Sequence, residues 1–137
     1  MGDLRELRLL IVDEELEYFQ LFRECVELCH HQFPIICTHA SSEEEARKLL
    51  GTWRPTAVMV DVHNTKADAF KFMEDCKGSV ERVIAASENM SLDVENTAMN
   101  HGANDYFCKS SDPEDIERLL ARIDSLRHPA PDGPFFQ

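Results

Sequence analysis

The sequence predicts an α/β protein built on a doubly wound, five-stranded parallel sheet with helices on both faces. Two observations carry this. Apolar runs of strand length alternate five times with segments of helical period, the pattern of repeated βα units. The central runs are apolar almost throughout, as in strands covered on both sides, rather than alternating apolar with polar. Right-handed crossovers between such strands put helices on both faces, and ligands then sit beyond the carboxyl ends of the strands.

Each element has its own signature. Leu7 to Val12, LRLLIV, is the first strand and ends at Asp13. A helix follows in which Leu16, Phe19, Phe22, Val26 and Cys29 recur every three or four residues. Pro34 to Ala40 is a weaker second strand. Ser42 with Glu45 forms a capping-box pattern, acids fill the next turn, and Gly51 is the expected stop of that helix. Thr56 to Asp61, TAVMVD, is the third strand. Ala69 to Gly78 reads as a helix carrying Phe70 and Met73 inward. Arg82 to Ser87 is the fourth strand, and Ser91 to His101 a helix with Leu92, Val94 and Met99 available for burial and Gly102 as its stop. Asp105 to Lys109 is the fifth strand. The last helix opens with Asp112 as cap and Pro113 at its first position, and its stripe is Ile116, Leu119, Leu120, Ile123 and Leu126.

Composition narrows the function. The chain has 137 residues, 43% of them hydrophobic, which suits one domain over 1–127 with 128–137 as a linker or tail. Net charge is −12, from 26 acids against 14 Lys and Arg, and no dense basic patch exists, so direct nucleic-acid binding is not expected. The five cysteines form no C-x-x-C pair. Cys25 and Cys29 share a helix face and precede His30 and His31, which admits a metal site, but buried thiols beside surface histidines is the plainer reading. No signal peptide is recognisable, and the longest apolar stretch, Leu9 to Val12, cannot span a bilayer. A reduced, cytoplasmic domain without membrane contact is expected.

The strand ends concentrate the chemistry. Asp13 and Glu14 close the first strand, Asp61 the third, Ser87 the fourth and Lys109 the fifth. Each has an ordinary explanation alone: a helix cap, a solvated acid, a surface lysine. Together they place three carboxylates, a hydroxyl and an ammonium at one sheet edge. Such an excess of negative charge shifts pKa values or calls for a cation, and oxygen ligands suit a hard divalent ion, typically Mg²⁺. Asp61 is then a candidate nucleophile toward phosphorus, with Ser87 and Lys109 to hold the phosphoryl oxygens.

In the segments LLIVDEE, AVMVDVH, VIAAS and GANDYFCKS the chain resembles the receiver domain of two-component response regulators, over Leu7 to about Leu126. The resemblance implies a flavodoxin-like sheet of order 2-1-3-4-5. It implies Asp61 as phosphoacceptor, taking a phosphoryl group from a sensor histidine kinase or histidine phosphotransfer protein. It implies Mg²⁺ held by Asp13, Glu14, Asp61 and the backbone carbonyl of His63, with Ser87 and Lys109 binding the phosphoryl group. Ser87 and Tyr106 match the switch pair. Such a domain is a signalling switch rather than a turnover enzyme. An effector domain beyond the C-terminus, or a homodimer, is also compatible.

Several positions depart from the family pattern. Glu14 replaces the usual second Asp, Thr65 and Ala69 replace a proline and a glycine after Asp61, Glu88 follows Ser87 where a small residue is usual, and Ser110 replaces the proline after Lys109. A cis bond before an ordinary residue costs about 3–4 kcal/mol, so Lys109 is not expected to be presented in the usual way unless the fold enforces that bond. These departures motivate a second reading, a divergent receiver that serves as a phosphorylation-independent interaction platform. A third, a phosphatase of the haloacid dehalogenase type, is disfavoured. His63 stands where the second Asp of that motif is needed, the nucleophile is on the third strand, and there is no room for a cap domain.

Overall fold

In the computed structural model, residues 6–29, 33–62, 67–89 and 91–127 are described, and the statements below concern these. The expected tail, the loop holding His63 and Thr65, and His30 and His31 lie outside them. Five strands alternate with five helices: β1 Leu7–Val12, α1 Leu16–Leu28, β2 Ile35–Ala40, α2 Glu43–Thr52, β3 Ala57–Asp61, α3 Ala67–Asp75, β4 Arg82–Ser87, α4 Leu92–Asn100, β5 Asp105–Cys108 and α5 Pro113–Arg127. The sheet is parallel throughout, in the order β2-β1-β3-β4-β5.

The strand period of two divides the core. Leu7, Leu9 and Ile11 of β1, with Ala57 and Met59 of β3 and Ile84 and Ala86 of β4, face Phe19, Phe22 and Val26 of α1 and Ile116, Leu119 and Ile123 of α5. The alternate residues Leu10, Val12, Val58, Val60, Val83 and Ala85 face Ala46 of α2, Phe70, Phe72 and Met73 of α3 and Ala98 of α4. Burying both faces explains why these runs show no polar alternation.

Local signals place most helix ends, with instructive exceptions. The Ser42 hydroxyl accepts from the Glu45 amide, but the Glu45 carboxylate reaches one residue further back than a capping box, to the Ser41 amide. Gly51 does not stop α2. The helix runs through Thr52, and the chain turns at Arg54, whose φ of 56° is the left-handed value, just before Pro55. Helix α3 begins two residues earlier than expected and ends at Asp75. Gly102 does end α4 with φ of 105°, and a Cβ there would stand 2.9 Å from the Lys77 side chain.

Three apolar residues expected inside are on the surface. Leu16 is 51% exposed, Leu92 71% and Met99 45%, so α4 packs mainly through Ala98 with Val94 half-buried. In both helices the amphipathic stripe is narrower than the apolar spacing suggests. Cys25, Cys29 and Cys76 are buried free thiols. The Cys25 and Cys29 thiols donate to the Ser111 and Cys25 carbonyls.

Candidate functional site

Register alone brings the candidate residues together. Val12 pairs with Val60, so Asp13 emerges beside Asp61 where β1 and β3 end. Asp61 pairs with Ala86, leaving Ser87 one step beyond it on β4, and Ser87 pairs with Cys108, so Lys109 follows at once on β5. Backbone bonds extend the ladder past these ends: the Val62 amide donates to the Ala86 carbonyl at 2.8 Å, and the Lys109 amide to the Ser87 carbonyl at 2.9 Å.

The centre of the site is the Lys109 ammonium. It lies 2.8 Å from Asp13 Oδ2, 3.5 Å from Glu15 Oε1 and 3.7 Å from Asp61 Oδ2. The Lys109 side chain is only 4% exposed, and Asp13 is equally withdrawn from water. Burial by itself pushes the Lys109 pKa down. The hydrogen bond and charge of Asp13, helped by Asp61 and Glu15, more than reverse this, and the net shift is upward. The Lys109–Ser110 peptide bond is trans, as are all those among the described residues. With this bond trans, Lys109 still reaches both aspartates.

Tyr18 explains part of this placement. Its ring centroid is 4.6 Å from Lys109 Nζ, and its hydroxyl donates to the Ser110 carbonyl at 2.9 Å while accepting from the Ser110 amide at 3.1 Å. Asp13 is fixed on its other side. Its Oδ1 accepts from the Glu15 amide at 2.8 Å, and its backbone carbonyl lies 2.7 Å from His39 Nε2. Sequence reasoning overlooked both Glu15 and Tyr18. The signal for Tyr18 was its place one turn before Phe22 on the buried side of α1; Glu15 was hidden beside the Asp13–Glu14 pair.

Ser87 is 5% exposed, and its hydroxyl accepts from the Asn89 amide at 3.2 Å. Glu14, Glu15, Asp61, Glu88 and Lys109 line an open cleft of about 160 Å³, so Glu88 shares the space over Asp61. Tyr106 is 40% exposed and lines a separate groove with Glu95, Arg118 and Arg122.

A smaller cavity beside Asp61 is lined by Asp13, Glu14 and Glu43 as well. These oxygen donors, with no thiolate among them, fit a hard divalent ion in chemical type. Among the described residues, however, no three Asp, Glu, His or Cys side chains already form a metal cage. The expected ligands Asp13, Glu14 and Asp61 share the wall of this one cavity. His63, the expected carbonyl ligand, lies outside the described residues.

The strand order β2-β1-β3-β4-β5 with five helices matches known structures. A response regulator of Thermotoga maritima superposes with a TM-score of 0.76 at 20% identity, covering 88% of this chain and 98% of that one. The signal receiver domain of a LuxO repressor protein of Vibrio parahaemolyticus superposes with a TM-score of 0.74 at 16% identity, over 88% of this chain and 92% of that one. The chain has the receiver-domain fold. A two-component response regulator-like protein of Arabidopsis thaliana is 27% identical over 123 residues, 85% of this chain. The chain spans 40% of that relative's length. No family model matches the chain. Within this receiver fold no described helix is long and apolar enough to cross a membrane.

Proposed function

We propose that the protein is a receiver that accepts a phosphoryl group on Asp61 from a histidine kinase or phosphotransfer partner and changes its contacts in response. The observation that supports this best is the Lys109 ammonium, buried beside Asp13 and 3.7 Å from Asp61 at the mouth of the sheet. In the transfer, an Asp61 carboxylate oxygen attacks phosphorus. A new O–P bond forms, the bond from phosphorus to the donor nitrogen breaks, and its electron pair leaves on that nitrogen, which takes up a proton. Lys109 exchanges a carboxylate contact for a phosphoryl oxygen and neutralises charge there. The Ser87 hydroxyl, one residue beyond Asp61's strand partner, donates to another oxygen. Asp13, Glu14 and Asp61 would hold Mg²⁺, which when bound draws charge from the phosphoryl oxygens. Outward-lying Tyr106 is the partner of Ser87 in the switch, turning inward when the hydroxyl follows the phosphate.

The test is intact mass after incubation with acetyl phosphate and Mg²⁺. Wild type gains one phosphoryl group and Asp61→Asn gains none; absence of the adduct on wild type, or its persistence in the variant, removes this reading. A second reading, a phosphorylation-independent interaction platform, is favoured by Glu88 standing in the same cleft as Asp61. It expects partner binding that is identical for wild type and Asp61→Asn, with or without phosphodonor.

A further inference from the structure

The trans Lys109–Ser110 link needs a reason to aim the lysine inward, and the Tyr18 hydroxyl supplies one. It touches both backbone polar groups of Ser110, accepting from the amide and donating to the carbonyl. A proline at position 110 has no N–H to give, so half of this clamp exists only because the residue is not proline. The same tyrosine puts its ring against the ammonium that also contacts the carboxylates of Asp13 and Asp61. The far side of the turn is tied down as well. The Ser110 hydroxyl donates to Asp115 Oδ2 at 2.8 Å and accepts from the Asp112 amide at 3.0 Å, joining the turn to the start of α5. Burial raises the Tyr18 pKa above its ordinary value, so the hydroxyl keeps the proton it donates.

We propose that Tyr18 is a positioning residue for Lys109, clamping the Ser110 backbone with its hydroxyl and backing the ammonium with its ring so that it faces Asp13 and Asp61. The role of Lys109 toward a phosphoryl group rests on the function proposed above; the clamp itself does not.

Tyr18→Phe keeps the ring and deletes the hydroxyl. Ser110 amide hydrogen exchange should then accelerate about tenfold or more, while amides of the central strands keep their protection. Acetyl phosphate labelling of Asp61 should slow by about tenfold or more, because a displaced charge near the reacting atoms is costly. Unaltered Ser110 exchange in the folded variant overturns the clamp. Faster exchange with unaltered labelling overturns the positioning role. If the variant does not fold, the wild-type protein decides: the Lys109 ε-methylene protons should be shifted upfield by the Tyr18 ring, and ordinary shifts there overturn the proposal. A wild type that accepts no phosphoryl group defeats the receiver reading, whereas the exchange and ring-shift measurements still judge the clamp.

Discussion

Lys109 and Asp13, 96 positions apart in the chain, meet at 2.8 Å with both side chains almost wholly shielded from water. A buried pair of this kind contributes little net stability when complete, yet breaking it is expensive because one charge is left behind. Replacing Lys109 with Met leaves Asp13 and Asp61 facing each other without the ammonium. In chelator, Lys109→Met should lose about 3 kcal/mol in urea denaturation. Added Mg²⁺ should restore more stability to the variant than it adds to wild type, by mass action on the freed carboxylates. An unchanged denaturation midpoint would mean that the lysine is not the compensating charge.

The same pair sets an alkaline limit. Folding raises the Lys109 pKa, so its stabilisation is complete below the unfolded lysine value, about 10.4, and is lost as pH climbs through the folded value. Wild type should therefore lose its stability advantage over Lys109→Met only on the alkaline side of that value. Melting curves of the two proteins from neutral pH upward check this. An advantage that already vanishes near neutrality would put the lysine in a different environment.

Asp61 plays the opposite part. Asp13 holds the ammonium at hydrogen-bond distance, whereas Asp61 is further away, in a cleft it shares with Glu14, Glu15 and Glu88. Its carboxylate adds to the negative charge of that cleft. Asp61→Asn should raise stability in chelator by about 1 kcal/mol, a few degrees in melting temperature, and should shrink the stabilisation by Mg²⁺. A fall in melting temperature would make Asp61 the main partner of Lys109 after all.

These opposed effects mark what the sequence could and could not disclose. The strands were legible because burial on both faces leaves continuous apolar runs, and β1 and β4 have the expected bounds. Register then follows from the topology, which carries Asp13, Asp61, Ser87 and Lys109 to one edge. Exposed Leu16, Leu92 and Met99 were misread because helical spacing reports a face but not whether a neighbour covers it. The Arg54 turn was missed because a left-handed arginine has no local signature, whereas Gly51 offered a false one. Nothing in the spacing of α1 singles out Tyr18. Its hydroxyl acquires a purpose only when β5 delivers Ser110 to it, a long-range contact that no window of sequence contains.

Glu88 offers the sharpest measure of how the departures at this edge affect access. Exposed, and lining the cleft with Asp61, it presents a second anion to any phosphodonor that approaches. Like charges a few ångströms apart in a solvent-filled cleft repel by about 1 kcal/mol, and salt weakens this. Glu88→Gln keeps the size and removes the charge. Labelling of Asp61 by acetyl phosphate should accelerate about fivefold at low salt, and the gain should fade as ionic strength rises. Equal acceleration at all salt concentrations would assign the effect to shape. No acceleration at all would mean that the Glu88 carboxylate turns aside and leaves the approach to Asp61 open.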